Sequence, residues 1–530
     1  MSYISPIFLL FLAISLVVYY LIPAKHRWIV LLVASYVFYC WDGILPIVYM
    51  LFTTLTIWGG ARILDKLRIS GKQATKNKEL TAEQKKAIKQ KNKQQRQLIF
   101  WLVLLINLGI LIVLKYLNAV TGSLTSLWGR IIGSALDVPT FRLLVPLGIS
   151  FYTFQSVGYL IDVYNGKYAA EENPCRFALF VSFFPQIVQG PIGRFDDLGM
   201  QLREEKRFDF GAIKSGALLM LWGFFKKLVI ADRMAPLVNA VFEDPRNAQG
   251  GVVIILGILF YALQLYADFS AGIDIVSGAA EMFGIRLSPN FKQPYFAVSL
   301  GDFWRRWHIS LGAWMRDYVF YPLAMTKTVS NASKALKKRN LHLSRAFPAV
   351  VGNIVVFLIV GAWHGSQWRY VVWGLYNGVI LALSALLEPT FKAFHKRFPR
   401  LGQTAVWHIF CVIRTFVIVC IGYYFDCCRY VGDAFYALYQ SVVAPNFGLL
   451  SSGILFEFGP AKLDYLILAV AWLTVFAVSL AREKGIKVRQ WLYEQNTFVR
   501  WTLLYILLFF VITFAVTGVD AMEGFMYEVF

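Results

Sequence analysis

Long apolar runs separated by short, mostly basic loops cover nearly the whole chain. They lie at 3–22, 27–41, 44–61, 98–118, 212–240, 251–283, 348–363, 367–388, 403–425, 463–482 and 498–518, with a weaker membrane-associated segment at 430–446. Crossing hydrocarbon takes roughly 20 apolar residues in a helix. Lipid offers the backbone no hydrogen-bond partners, so these runs predict helices. A membrane barrel would instead show short alternating segments, and none is visible. The pattern gives an all-α, polytopic membrane protein of roughly ten or eleven crossings, read from hydropathy and loop charge, with two re-entrant pieces.

Two stretches break the pattern. Pro146–Gln155 opens a span ending near Tyr164, and its Ser, Thr and Gln side chains suit hydrogen bonds to neighbouring helices. Phe180–Arg194 is apolar but interrupted by Pro185, Gly190 and Pro191, which suits a re-entrant segment lining a cavity. Gln186 and Gln189 would face that cavity or satisfy the broken backbone.

The chain is 58% hydrophobic and carries a net charge of +21. Its charge falls in loops, where Lys/Arg asymmetry sets topology, so nucleic acid is not the partner it implies. Residues 62–97 hold twelve Lys/Arg against three Asp/Glu and are read as a cytoplasmic loop, with Leu80–Gln97 a solvated helix or disordered. Counting spans from there places both termini outside. The six cysteines show neither a CxxC nor a metal-ligand spacing.

Charged groups inside the apolar frame mark candidate chemistry. Lys226 and Lys227 either snorkel toward headgroups or meet an anionic donor. Asp268 and Asp274, six apart, would each pair with an arginine. The densest stretch is Gly301–Pro322, with three tryptophans, three arginines, two aspartates and His308; a second histidine follows in Gly361-Ala362-Trp363-His364-Gly365. If Gly301–Pro322 were one helix, Trp304, Trp307, His308 and Leu311 would share a side, leaving Arg305 and Arg306 to meet headgroups or phosphate.

In order along the chain stand Pro146–Tyr152, Gln189-Gly190-Pro191, Gln264–Ser270 (QLYADFS), Asn290–Tyr295 (NFKQPY), Phe303–Leu311 (FWRRWHISL) and Trp363-His364-Gly365. This series resembles the membrane-bound O-acyltransferase (MBOAT) family over essentially the whole chain, and most closely its bacterial, AlgI-like alginate O-acetyltransferase branch. The resemblance implies one membrane domain over 1–530, a ring of helices around a central tunnel, with a catalytic core at 301–365. It makes His364 the catalytic histidine and His308 the second active-site residue, orienting the acceptor or stabilising the oxyanion. Asp302, Trp304, Arg305, Arg306, Trp307, Trp363, Gln189 and Asp268 become the substrate and tunnel residues. A neutral imidazole suits removal of a hydroxyl proton during attack on a thioester.

The tail at 519–530 ends in Phe525-Met526-Tyr527-Glu528-Val529-Phe530, which looks like the C-terminal motif of the small DltX partner of D-alanyl transferases in this family. That likeness makes Tyr527 a candidate acyl carrier; an aromatic anchor at the interface is the other reading. The expected activity is transfer of an acyl group, acetyl by preference, from cytoplasmic acyl-CoA toward an exported polysaccharide. It would use no bound cofactor or metal, sit in the cell membrane and work with an extracytoplasmic SGNH-type acetyltransferase. D-alanyl transfer to teichoic acid, a proton-coupled transporter and a non-catalytic export scaffold are the rival readings.

Overall fold

The structure is a computed structural model that describes residues 1–41, 43–132, 145–458, 460–516 and 524–526. Among these residues the regular structure is helical, apart from one antiparallel bridge between Phe291 and Trp307. Eight described helices are long and apolar enough to cross a membrane, and the chain is an all-α, multi-pass membrane protein. It divides into two compact units, Met1–Ala217 with Val276–Ser288, and Leu218–Ile275 with Pro289–Phe530.

The first unit holds α1 (Pro6–Leu21), α2 (Arg27–Cys40), α3 (Leu45–Ala74), α4 (Ala82–Ile132), α5 (Ile149–Asn165) and α6 (Pro174–Ser182). Proline at the first position and Ser5, whose Oγ accepts the Phe8 N–H, start α1. The basic stretch 62–97 is mostly helix: α3 runs into it and α4 runs out of it. Its Lys, Gln, Glu and Ala are good helix formers. Thr81 and Gln84 cap α4 reciprocally, each side chain accepting the other's backbone N–H at 3.2 and 3.0 Å. Leu80–Gln97 thus belongs almost entirely to the same helix as the apolar span that follows.

After α6 the backbone of 183–194 leaves the helix, yet nearly all of it is buried. Non-helical backbone at that depth needs side-chain partners. Tyr3 donates its hydroxyl to the Phe184 carbonyl at 2.6 Å, Ser35 Oγ accepts the Phe184 N–H at 3.0 Å, and Gln155 donates to the Phe180 carbonyl at 2.5 Å. Gln186 in turn donates to Gln155. Of the polar residues of α5, Gln155 therefore binds a neighbouring segment, as its sequence suggested, whereas Ser150 and Ser156 make no such bond among the described residues.

In the second unit α7 (Phe210–Phe224, whose first residues fall in the first unit) passes through a wide π-type turn at Phe225–Ala231 into α8 (Asp232–Glu243). Next comes α9 (Gly251–Met282, whose last residues fall in the first unit), then the short α10 (Leu300–Arg306), α11 (Ile309–Met315), α12 (Tyr321–Ala324) and α13 (Lys327–Lys337). The paired α14 (Leu341–His364) and α15 (Trp368–Leu386) follow, then α16 (Glu388–Arg397), α17 (Ala405–Cys427), α18 (Val431–Val443), α19 (Lys462–Glu483), α20 (Val488–Glu494) and α21 (Thr497–Phe514). Helices α14 and α15 pack backbone to backbone. A Cβ on Gly361 would meet the Tyr370 carbonyl oxygen at 2.3 Å, and one on Gly374 the Phe357 carbonyl oxygen at 2.3 Å. Small residues permit this approach, and it fixes the end of α14 that carries His364.

The lysines of the π-type turn neither snorkel nor await an anionic donor. Lys226 lies 2.7 Å from Asp274, and the fully buried Lys227 lies 2.8 Å from Asp268 and 2.9 Å from Asp232. The expected arginine partners of Asp268 and Asp274 are thus lysines. Successive residues on a helix diverge by roughly 100°, and residues six apart end about 120° apart, so two adjacent lysines can serve two carboxylates that do not share a face.

Removing one partner of a buried pair leaves an uncompensated charge, typically at a loss of about 3–5 kcal/mol. Lys227→Met is therefore expected to lower the unfolding temperature of the purified protein sharply, whereas Lys214→Met, at an exposed position of α7, stays within about 0.5 kcal/mol. Thermal melts in nanodiscs measure both; equal, small shifts would show that the buried cluster contributes nothing to stability.

Candidate active site

Helix α10 begins with Ser299, whose Oγ accepts the Asp302 N–H at 3.1 Å, while Asp302 accepts the Val298 N–H at 3.3 Å. It stops after about two turns because a second strand of chain competes for its backbone. Arg306 O accepts the Lys292 N–H at 2.9 Å, and Asn290 O accepts the Ile309 N–H at 3.1 Å. Between these bonds Phe291 pairs with Trp307, and His308 takes a left-handed conformation at φ 46° and ψ 53°. A non-glycine residue there is disfavoured by about 1–2 kcal/mol. The chain hooks at His308 and starts again as α11, so the single helix expected over Trp304, Trp307, His308 and Leu311 does not form.

The hook buries His308. Phe269 meets its ring edge-on at 4.9 Å between centroids, and its Nδ1 lies 3.2 Å from Asn290 Oδ1. His364, the last residue of α14, is buried among Trp363, Trp373 and Tyr370, with ring centroids at 5.0, 5.1 and 6.1 Å. Trp363 also lies 6.0 Å from His308, so one indole touches both imidazoles. Burial, and after it the charge of His364, lowers the His308 pKa to about 3. The ring is neutral at ordinary pH.

Other candidate residues frame this pair. Trp304 donates Nε1–H to Asn377 Oδ1 at 3.2 Å and packs edge-on against Trp373 at 5.7 Å. Trp307 is buried against Phe303 and Phe291. Arg306 is not free for headgroups: it pairs with Asp302 at 3.0 Å and Glu483 at 2.8 Å. Arg305 stays 71% exposed, 3.4 Å from Asp302, and remains able to meet a phosphate.

Asp268 serves a different set of contacts. Beyond Lys227 it accepts the Met526 N–H at 2.9 Å, while Lys227 donates to the Gly524 carbonyl at 2.6 Å and lies 4.9 Å from the Phe525 ring. The buried ion cluster thus grips residues 524–526. Tyr527 lies outside the described residues. Gln189 belongs to the first unit, is fully buried, and its amide has no hydrogen-bond partner among the described residues.

Sequence reasoning assigned no role to Asn290, Asn377, Glu483 or Asp232. Asn290 heads the NFKQPY run, but nothing in its spacing from His308 marks a contact, because the link is made by chain reversal.

The sequence profile of MBOAT, the membrane-bound O-acyltransferase family, matches residues 170–423. The chain is 35% identical over 395 residues to the probable alginate O-acetylase AlgI of Azotobacter vinelandii, covering 73% of this chain and 69% of that protein. It is 30% identical over 329 residues to the peptidoglycan O-acetyltransferase of Helicobacter pylori, covering 57% and 58%. With the teichoic acid D-alanyltransferase of Bacillus subtilis it shares 27% identity over 293 residues, covering 54% and 69%.

The depressed pKa of His308 has a consequence for stability. In the unfolded chain an imidazole titrates near 6.5, so below that pH the unfolded state binds a proton that the folded site refuses. Folding stability is then lost progressively from pH 6.5 toward 3, with a slope approaching about 1.4 kcal/mol per pH unit. Melting temperatures between about pH 7.5 and 4.5 are expected to fall more steeply for the parent protein than for His308→Gln; parallel slopes would mean that His308 titrates normally.

Proposed function

The chain belongs to the membrane-bound O-acyltransferase family, and from that premise we propose that it moves an acetyl group from acetyl-CoA on the cytoplasmic side toward a hydroxyl of an exported polysaccharide. The observation that carries this reading is the meeting of His308 and His364 against one indole, Trp363, in a buried setting. His364 takes the proton of the attacking hydroxyl as its oxygen bonds to the thioester carbonyl carbon. The carbon–sulfur bond then breaks, and the departing thiolate leaves as the free thiol with that proton. His308 orients the acceptor or stabilises the oxyanion. Arg305, exposed beside Asp302, suits the phosphates of the donor.

The similarity to alginate and peptidoglycan O-acetylating proteins supports an exported polysaccharide as the final acceptor. In this reading 1–530 forms one membrane domain around a tunnel in the cell membrane, with both termini extracytoplasmic, and hands the acetyl group to an SGNH-type acetyltransferase. Tyr527 carries the group on the way as an aryl ester, which passes it on more readily than a sugar ester because a phenolate, whose phenol has a pKa near 10, leaves more easily than a sugar alkoxide. The grip of Lys227 and Asp268 on residues 524–526 supports a tail held at a defined place.

Purified protein in liposomes with labelled acetyl-CoA tests the reading. His364→Ala is expected to reduce thioester turnover by about 10²- to 10⁴-fold. Turnover that survives the substitution points away from this chemistry, and turnover only with a D-alanyl carrier protein would move the donor class instead. Intact mass after incubation with donor is expected to show one acetyl adduct, lost in Tyr527→Phe; an adduct that persists in that variant, or none in the parent, removes the carrier role.

A further inference from the structure

We propose that Asn290 is a positioning residue that fixes His308 as its Nδ1–H tautomer, so that His308 meets substrate through an accepting Nε2; the catalytic part of this inference rests on the acyltransferase reading above. The orientation of the amide follows from its neighbours. Asn290 Oδ1 lies 3.0 Å from the Ser310 backbone nitrogen, and a backbone N–H can only donate. The atom facing it must be the carbonyl oxygen, because a flipped amide would set two donors against each other. Ser310 Oγ reinforces the choice by donating to the same oxygen at 2.9 Å.

His308 Nδ1 stands 3.2 Å from that oxygen. Only a protonated Nδ1 bonds to it, so in the neutral ring the proton sits on Nδ1 and the lone pair on Nε2. The backbone leaves little latitude for another arrangement. Asn290 is 1% exposed, its own carbonyl accepts the Ile309 N–H at 3.1 Å, and the next turn of the pairing joins Lys292 to Arg306 at 2.9 Å. The left-handed conformation of His308 is what brings Nδ1 back onto Asn290. The same hook therefore creates the strained residue and selects its tautomer.

This assignment decides between the two roles open to His308. An oxyanion is stabilised by hydrogen-bond donors, and a bare Nε2 donates nothing. A hydroxyl, by contrast, donates to it. His308 is thus placed to orient the acceptor through a hydroxyl other than the attacking one, whose proton goes to His364, and this leaves the oxyanion to other donors.

Protein labelled with 15N-histidine in nanodiscs gives a direct test, with His308→Gln identifying the His308 signals by their loss. Two-bond nitrogen–proton correlations are expected to show protonated Nδ1 and bare Nε2 in the parent. Asn290→Asp, which keeps an acceptor for both Nδ1 and the Ser310 N–H, is expected to retain that signature and to keep kcat within about tenfold. Asn290→Leu is expected to lose it and to lower kcat by at least about 10²-fold, with the KM for donor within about threefold. A parent ring protonated on Nε2 overturns the proposal, as does an unchanged tautomer in Asn290→Leu or an equal loss of kcat in the Leu and Asp variants. Tautomers are read without turnover, so a protein inactive toward every thioester would refute the acyltransferase reading and leave this measurement standing.

Discussion

Lys227 sits fully buried between Asp232 and Asp268, and the same lysine and Asp268 hold the backbone of residues 524–526. In lipid such charges persist only when each finds a partner within the chain. The same constraint shapes other buried polar groups of the second unit. Lys226 answers Asp274, Arg233 answers Asp464, and Tyr261 donates to Asp426. A buried pair of this kind contributes little net stability but makes its alternatives costly, so it specifies which elements meet.

Backbone obeys the same rule. Where α6 gives way to irregular chain, Tyr3, Ser35 and Gln155 supply the missing partners. Where α10 is cut short, residues 290–292 supply them, and the result is the hook that carries His308. The other imidazole reaches its place by the close approach of α14 and α15 at Gly361 and Gly374. One histidine is thus set by a hydrogen-bonded reversal and the other by small-residue packing. Trp363, adjacent in sequence to His364 and packed on His308, ties the two devices together.

Much of this was legible in the residues. Apolar runs of membrane length foretold the helices, and Gln155 at the end of Pro146–Gln155 foretold a polar contact with a neighbouring segment. The motif series singled out both histidines. The misreadings have a common cause: local periodicity says nothing about what comes from elsewhere in the chain. Trp304 to Leu311 reads as one helix until Asn290–Lys292 pairs with it. Lys226 and Lys227 read as lysines that snorkel toward headgroups or meet an anionic donor until the carboxylates of α9 arrive. Arg306 reads as a free cation until Glu483 reaches it. Leu80–Gln97 reads as a solvated helix or as disorder, and of the two it is helix from Ala82 onward.

In the proposed reaction an activated acyl group is handled where the two imidazoles meet. A cryo-electron microscopy map of the protein with a non-hydrolysable acetyl-CoA analogue tests it most directly. The analogue's carbonyl is expected against the Trp363 indole, with an imidazole nitrogen of His364 within hydrogen-bond reach, about 3 Å, of the site the attacking oxygen would occupy. Density for the analogue remote from both rings, with the His308 hook and Trp363 intact, would contradict it.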